Sequence, residues 1–164
     1  MTHPEPSGRQ AERPAERAAL ERWLDIQRAE ITALLDDLGE AQARARLVPS
    51  LTTLLGLVAH ATFVERVWFH HRVAGVRRSA LSIPATVEES FTLDDAATVD
   101  SVRTAHLAAC ERSRAIAAEH PDLDEVFTWN GATITLREIH VHLIAELARH
   151  AGHGDILREQ LLAE

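Results

Sequence analysis

Apolar residues recur with a helical period in four long segments of this chain, and no strand-like alternation of comparable length competes with them. The segments are residues 15–38, 51–75, 97–119 and 136–162. Each carries an apolar stripe and an opposite polar face, which is typical of helices that bury one side against other helices. We therefore predict an all-α fold, a single four-helix bundle over residues 15–164, preceded by a disordered polar tail at residues 1–14.

Residues with strong backbone preferences mark the expected helix ends. Gly39 is a suitable C′ residue for the first helix, Pro49-Ser50 an N-cap for the second, and Pro121 a stop for the third. The second helix is expected to end near Gly75. Thr135-Leu136-Arg137-Glu138 forms a capping box, which predicts that the fourth helix begins there.

The segment that precedes the fourth helix carries a turn signal. Asn130-Gly131 lies between short runs of β-forming residues within Phe127–Ile134. Two structures fit this pattern, a small β-hairpin and an ordered loop, and the sequence favours neither. The connections after the second and third helices are longer than an up-and-down bundle requires, and long connections often carry functional residues.

The residue types that are missing restrict the chemistry more than those that are present. All 17 basic residues are Arg, the chain has no Tyr, and Cys110 is its single cysteine. Without Lys there is no Schiff-base nucleophile or phosphate-loop lysine, and one cysteine forms neither an internal disulfide nor a four-cysteine zinc site. Polar chemistry near neutral pH is left to hydroxyls, carboxylates, Arg and the ten histidines.

The charge and hydropathy of the chain bear on its partners. Its net charge is −8, which disfavours a broad basic surface for nucleic acid. No window reaches the ~18 apolar residues of a membrane span, and the polar N-terminus lacks the apolar core of a secretory signal. A lone thiol suits a reducing compartment. We therefore expect a cytoplasmic protein that binds neither nucleic acid nor membranes.

Two polar residues interrupt the apolar stripe of the fourth helix. Glu146 and His150 lie four residues apart, so their side chains share one face of the helix. His60 occupies a similar position in the second helix, between Leu57 and Phe63. Together they form a two-histidine, one-carboxylate set, which fits catalytic zinc and non-haem iron equally well. The alternative is a hydrogen-bonded His–Glu pair in a hydrated core, and periodicity alone favours neither interpretation.

The other histidines receive less specific interpretations. His153, almost one turn beyond His150, is either a group that assists at the site or a partly exposed helix residue, and His142 could extend the polar row. His106 and Cys110 lie on the inward face of the third helix, where a hydrogen-bonded core histidine and a buried thiol are expected. Surface positions are expected for His70, His71, His120 and His140.

Two stretches of the chain resemble a known group of proteins. Gly56-Leu57-Val58-Ala59-His60, followed by Val64–Phe69, is similar to helix two of the DinB/YfiT-like metal-dependent superfamily. Similarity to the terminal helix of its mycothiol-transferase-like branch is carried by Thr135–Glu138, His142, Glu146, Ala148–His153 and Asp155–Glu159. The likeness spans nearly the whole chain after residue 15.

The resemblance implies a four-helix bundle that holds a divalent metal with one ligand from the second helix and two from the fourth. Here the ligands would be His60, Glu146 and His150. Glu146 departs from the three-histidine form of many members but is similar to the His, Glu, His set of mycothiol-dependent maleylpyruvate isomerase. Zinc is the first candidate, with nickel or iron as alternatives, and a mycothiol-like thiol is implied as cosubstrate. Dimers are common in the superfamily, so a homodimer is expected.

Three functional hypotheses follow from this resemblance. In the first, the chain is a metal-dependent thiol transferase, or an isomerase, in which the metal activates the thiol as a thiolate for attack on a small electrophile. His153 would relay a proton, and Arg149 or Arg158 would hold a substrate carboxylate. In the second, metal-bound water is the nucleophile of a hydrolase. In the third, the metal only stabilises a bundle that binds a ligand and catalyses nothing.

Overall fold

Helices dominate the structure. The computed structural model describes the backbone of residues 8–163 and the side chains of residues 14–163. In chain order its elements are α1 (Gly8–Ala33), α2 (Glu40–Ala43), α3 (Leu54–Glu65), a π-helical extension of α3 (Arg66–Val73), α4 (Arg78–Leu81), a 3₁₀ turn (Glu88–Phe91), α5 (Val99–Glu119), β1 (Val126–Trp129), β2 (Ala132–Thr135) and α6 (Leu136–Leu162). The all-α class is confirmed. No helix within the described residues is both long and apolar enough to cross a membrane.

Four long helical segments supply the apolar interior. α1 packs against α6, α3 packs against both α5 and α6, and the π-helical extension packs against α5. Every one of them contributes fully buried side chains, among them Leu24, Leu57, Phe69, Ile116 and Leu143. Burying one such side chain stabilises the fold by roughly 1.5–3 kcal/mol, so this interior is the main source of stability.

α1 differs from its expected range at both ends. It begins at Gly8, so residues 8–14 of the expected tail are helical instead, while residues 1–7 of that tail lie outside the described residues. The run from Arg9 to Arg13 consists of strong helix formers, which accounts for the earlier start. At the other end α1 stops at Ala33, and Asp37 (φ 60°) takes the left-handed conformation expected of Gly39. Gly39 is extended and forms the N-cap of α2.

The second long segment begins at Leu54 because Thr53, rather than Pro49-Ser50, is its N-cap. The Thr53 hydroxyl accepts a hydrogen bond from the backbone N–H of Gly56 at 2.9 Å. Beyond Glu65 the helix widens to a π-helix. Residues 67–70 of this π-helix are all buried, as are Leu54–Val58 and His60–Glu65 of the preceding α-helix, so the whole segment lies in the interior. The segment ends close to Gly75, as expected.

The connection between Val73 and Val99 folds back onto α3. Its 3₁₀ turn contacts the helix at Gly56, where a Cβ atom would lie only 2.7 Å from the carbonyl oxygen of Phe91. Gly56 therefore permits a close approach of two backbones. This approach places Ser90 and Phe91 against the side chain of His60.

The Asn130-Gly131 segment forms the β-hairpin, one of the two structures that the sequence left open. β1 and β2 pair in antiparallel register with Trp129 opposite Ala132. Asn130 (φ 49°) and Gly131 (φ 80°) are both left-handed, as a type I′ turn requires. The capping box is confirmed, because Thr135 N–H donates to the Glu138 carboxylate at 2.8 Å and Glu138 N–H donates to the Thr135 hydroxyl at 3.2 Å.

A buried ion pair connects α1 and α3. Nε and Nη2 of Arg28 donate to the two carboxylate oxygens of Glu65 at 2.8 Å each, and the side chains are only 6% and 0% exposed. Nη1 of Arg28 also donates to Asp25 at 2.9 Å. Either charge alone would be costly at this depth, so the two residues depend on each other.

Candidate metal centre

His60, Glu146 and His150 converge at one point between α3 and α6. Nε2 of His60 lies 3.4 Å from Oε1 of Glu146, and Nε2 of His150 lies 3.2 Å from the same oxygen. One ligand atom from each residue lies within 4.8 Å of the others. His60 is buried, while Glu146 and His150 are half-buried. We refer to these three residues as the His–Glu cluster.

Ser90 sets the tautomer of His60. The Ser90 hydroxyl donates its single proton to the carbonyl oxygen of Val87, and its oxygen therefore accepts from Nδ1–H of His60, 2.7 Å away. A neutral His60 consequently directs the lone pair of Nε2 towards Glu146. A lone pair 3.4 Å from a carboxylate oxygen is repelled unless a positive charge, a proton or a metal ion, lies between them.

Aromatic packing holds the two imidazoles in place. The ring of Phe91 stacks on His60 with centroids 4.1 Å apart and an interplanar angle of 11°. The rings of His60 and His150 meet edge-on at 4.6 Å. Because rings packed in this way cannot rotate freely, the donor atoms of the cluster are held in a preorganised arrangement.

Glu146 is held in its ionised form. When a proton lies on the imidazole nitrogens that face it, hydrogen bonding to His150, and then to His60, holds the pKa of the Glu146 carboxyl well below its usual range, against the opposing effect of partial burial. Its second oxygen lies 3.5 Å from Nη1 of Arg149. One carboxylate and two imidazoles form a donor set that zinc and ferrous iron both accept.

The two ring nitrogens of His150 differ in their partners. Nε2 faces Oε1 of Glu146 at 3.2 Å, whereas Nδ1 is buried and has no hydrogen-bond partner among the described residues. A metal ion held by the cluster would bind Nε2, so the state of Nδ1 does not bear on it. What fits a divalent metal ion is the lone pair of His60 that faces the carboxylate of Glu146.

A cavity of about 350 Å³ opens beside the cluster. Its walls include His60, Glu146, Trp68, Arg72, Arg78 and Trp129. Trp129 belongs to the β-hairpin, and its ring centroid lies 5.5 Å from that of Trp68. This space, which we call the cluster cavity, therefore joins the candidate ligands to an aromatic and basic wall and is large enough for a small molecule.

Comparison with known families assigns the chain. The family model described as mycothiol-S-transferase matches residues 19–163. The chain belongs to this family. The match confirms the resemblance to the mycothiol-transferase-like branch of the DinB/YfiT-like superfamily. No curated protein matches the chain significantly.

Two other histidines of this mycothiol-S-transferase family member lie near the cluster without joining it. His142 lines the cluster cavity, but its ring packs on Trp68 with centroids 4.4 Å apart. His153 is exposed, and its ring lies edge-on to that of His150 at 5.6 Å. His142 thus shapes the cavity wall, and His153 lies on the solvent side of the cluster.

The two arginines proposed from the sequence as carboxylate-binding groups lie in different places. Arg149 is 65% exposed and close to Glu146. Nη1 of Arg158 donates to the carbonyl oxygens of Leu34 and Asp36 at 2.9 and 2.8 Å, beyond the last turn of α1. Arg158 therefore connects α6 to α1, because its positive charge is favourable beside the carbonyl groups that follow the end of a helix. It is not among the residues that line the cluster cavity.

The core positions expected of His106 and Cys110 are confirmed, since the two are 0% and 2% exposed. The surface positions expected of His70 and His140 are wrong. His70 is buried because its segment is packed on nearly all sides, and its Nε2–H donates to the Ala109 carbonyl of α5 at 3.1 Å. Nδ1–H of His140 donates to the Leu136 carbonyl at 2.9 Å, so its polar edge is satisfied within α6.

The remaining two histidines expected at the surface are half-buried. Nδ1 of His71 lies 2.8 Å from the carbonyl oxygen of Val76, and Nδ1 of His120 lies 3.0 Å from the carboxylate of Glu125. Each contact joins residues only five positions apart, close to the end of a helix. These two histidines therefore have local structural partners and do not line the cluster cavity.

Sequence reasoning missed Ser90, Phe91, Arg72 and Arg78. Ser90 and Phe91 belong to a connection without regular periodicity, so no pattern places them beside His60. Arg72 follows the change from α- to π-helix, which shifts the face on which it lies. The signal that was available is the Val73–Val99 connection itself, because its length exceeds what joining two antiparallel helices requires.

Proposed function

We propose that this family member is a metal-dependent transferase that uses a low-molecular-weight thiol of the mycothiol type as cosubstrate. The observation that carries the proposal is the convergence of His60, Glu146 and His150 beside a cavity of small-molecule size. Membership of the mycothiol-S-transferase family supports the identity of the thiol. The same family relationship supports a bundle formed by α1, extended α3, α5 and α6.

Each member of the cluster has a distinct part. His60 and His150 would hold a divalent metal through imidazole nitrogens, and Glu146 would add a negative charge. When bound, a zinc ion would lower the pKa of a thiol that reaches it, so that thiolate exists near neutral pH. Ser90 keeps Nε2 of His60 free of a proton, and Phe91 shields the imidazole from water.

The chain's own thiol is unsuited to act as the nucleophile. Burial, and then the negative charge of Glu65, raise the pKa of the Cys110 thiol to about 12. At neutral pH this thiol is therefore protonated as well as inaccessible. A thiol supplied by a cosubstrate fills this role. Its sulfur would bond to an electrophilic carbon of the second substrate while the bond from that carbon to a leaving group, or the π bond of an unsaturated acceptor, breaks.

The exposed residues around the cluster have assisting parts in the proposal. His153, edge-on to His150, would accept the proton that the cosubstrate thiol releases. Arg149, next to Glu146, would contact substrate at the mouth of the site. Zinc as the resident metal and a homodimeric state stay predictions of the family resemblance.

The proposal is tested by metal analysis and by thiol dependence in one set of preparations. Wild-type protein is expected to bind one divalent metal per chain and to consume a chromogenic electrophile only when mycothiol is added. His60→Ala and His150→Ala are expected to lose the metal and the turnover, while Glu159→Gln, an exposed change elsewhere on α6, keeps both.

Each other outcome contradicts a defined part of the proposal. Stoichiometric metal in His60→Ala or His150→Ala shows that the ligand set is wrong. Turnover without thiol indicates a hydrolase instead. A metal-loaded protein that is inactive towards a panel of electrophiles with mycothiol indicates a bundle in which the metal is structural.

A further inference from the structure

Two guanidinium groups that have no carboxylate partner among residues 14–163 lie in the wall of the cluster cavity. Arg72 comes from the π-helical extension and Arg78 from α4. The hydrogen bonds of both side chains go to backbone carbonyls within residues 14–163: Arg72 to Thr128 at 3.5 Å, and Arg78 to Pro84 at 2.7 Å and to Ala85 at 3.4 Å. No carboxylate in this part of the chain forms an ion pair with either, although the chain as a whole is acidic.

Arg72 retains an unused donor in the interior. Its Nε atom is buried and has no hydrogen-bond partner among the described residues. A buried donor without a partner costs free energy, more so when it carries charge. Burial, and then the positive charge of Arg78, lower the pKa of the Arg72 side chain, as expected of two cations that face each other without an anion.

The neighbouring rings lie within cation–π distance of both guanidinium groups. The guanidinium carbon of Arg72 lies 4.7 Å from the ring centroid of Trp68, and that of Arg78 lies 5.8 Å from that of Phe63. Such contacts use none of the N–H groups as hydrogen-bond donors, so N–H donors at the edges of the two planar groups remain available. Edge donors match the two coplanar oxygens of a carboxylate.

Glu146 lies in the wall of the same cavity, but its carboxylate contacts the two imidazoles of the cluster and Arg149 rather than Arg72 or Arg78. Its Oε1 atom contacts both imidazoles, and its Oε2 atom lies 3.5 Å from Arg149. It therefore leaves the positive charges of Arg72 and Arg78 without a counter-ion. Most of the remaining wall, including Trp68, Trp129 and Val67, is apolar and suits the body of an unsaturated or aromatic compound, while Asn130 and His142 are its polar members.

We propose that the cluster cavity binds an electrophilic substrate that carries a carboxylate, held between the guanidinium groups of Arg72 and Arg78. This assignment rests on the proposed function, because it names the class of the second substrate at the same site. The sequence suggested Arg149 or Arg158 as the group that binds a substrate carboxylate. This proposal assigns that role to Arg72 and Arg78 instead.

The experiment measures binding of an unreactive probe, so that it does not depend on turnover. Benzoate and its neutral analogue benzamide are titrated by ligand-observed NMR against metal-loaded wild-type protein and against the same protein after chelation. Benzoate is expected to bind more tightly than benzamide in both preparations. Arg72→Gln and Arg78→Gln are each expected to weaken benzoate binding about tenfold or more and to leave benzamide binding unchanged.

Matched variants separate a specific effect from a general one. Arg22→Gln removes an exposed positive charge on α1 and is expected to bind benzoate as wild type does. Arg72→Lys keeps the charge but loses the two-donor edge, so intermediate affinity is expected. It also tests the proposal if Arg72→Gln does not fold, as judged by circular dichroism.

Several results would overturn the assignment. Equal affinity for benzoate and benzamide, or wild-type benzoate affinity in both glutamine variants, shows that no carboxylate is held there. Tighter, arginine-dependent binding of phenyl phosphate assigns the subsite to phosphate instead. Metal content and thiol-dependent turnover are measured separately from benzoate binding. If the protein binds no metal or shows no thiol-dependent turnover, but still binds benzoate through Arg72 and Arg78, only the proposed function is contradicted.

Discussion

The hydroxyl oxygen of Ser90 lies 2.7 Å from Nδ1 of His60, although 30 positions separate the two residues in the chain. Because the Ser90 hydroxyl donates its own proton to the carbonyl oxygen of Val87, it is only an acceptor in the hydrogen bond with His60. The contact therefore fixes which nitrogen of His60 is available to a metal. It also makes a connection between helices part of the candidate metal centre.

Ser90→Ala is expected to weaken metal binding while leaving all three ligands in place. Without the acceptor, His60 can protonate at Nε2 and rotate, and loss of such a supporting contact typically costs 10–100-fold in metal affinity. Competition with a chromophoric chelator measures the change. Ser79→Ala, an exposed change on α4, is the control, and wild-type affinity in Ser90→Ala would contradict the role of Ser90.

Gly56→Ala is expected to disturb the centre from a distance. The added Cβ would lie 2.7 Å from the Phe91 carbonyl oxygen, so the 3₁₀ turn that carries Ser90 must move away. We expect a loss of about 1–3 kcal/mol in the free energy of unfolding, together with weaker metal binding.

A second glycine provides the matched comparison for Gly56. A Cβ on Gly152 of α6 meets nothing within 4 Å, so Gly152→Ala is expected to raise stability by roughly 0.5–1 kcal/mol. Urea denaturation measures both variants. Similar effects of the two alanines would show that the contact between α3 and the 3₁₀ turn is unimportant.

Glu65→Gln is expected to destabilise the fold strongly. It leaves the buried Arg28 guanidinium without its main counter-ion, and breaking a buried pair in this way typically costs 3–5 kcal/mol. The exposed pair of Arg112 and Glu119 is the control, because its 3.8 Å contact should contribute less than about 1 kcal/mol. Urea denaturation of Glu65→Gln and Glu119→Gln decides whether burial makes the difference.

Acidification is expected to destabilise the protein partly through His106. Burial lowers the pKa of His106 from 6.5 to about 4, so between these values the unfolded chain binds a proton that the folded chain does not. The free energy of unfolding therefore falls as the pH decreases through this window, by about 2 kcal/mol between pH 7 and pH 5 for this group. Burial also lowers the pKa of His70 and His140, which adds to the effect.

Two measurements check this pH dependence. Urea denaturation at pH 7 and pH 5 should show a smaller difference for His106→Asn than for wild type. An NMR titration of wild-type protein should show the His106 ring unprotonated at pH 5.5. A His106 signal that titrates near pH 6.5 would contradict the expected pKa.

Metal addition is expected to raise the melting temperature of the wild-type protein. A ligand that binds only the folded state at 100 times its dissociation constant stabilises it by about 2.7 kcal/mol. Differential scanning calorimetry with and without zinc should therefore show a shift for wild type and Glu159→Gln, but none for His150→Ala. An equal shift in His150→Ala would place the bound metal elsewhere.

The three residues of the His–Glu cluster could be identified from the sequence because they obey helical periodicity. His60, Glu146 and His150 are polar residues at positions that a 3.6-residue period assigns to a buried face, and two of them share one helix. The capping box at Thr135 and the core position of His106 follow from equally local rules. What these predictions have in common is that each depends on residues a few positions apart.

Tertiary structure alone decided the surroundings of those residues. The partner of Arg28, the contact of Ser90 with His60, and the place of Arg72 beside Trp68 all join residues through backbone geometry that no short pattern encodes. His70 is buried against the expectation from one-sided helical spacing, because α5 and the other elements pack around nearly the whole of its segment. Periodicity identifies which side chains turn inward, whereas packing determines what they meet there, because contacts between distant segments depend on the whole set of buried surfaces at once.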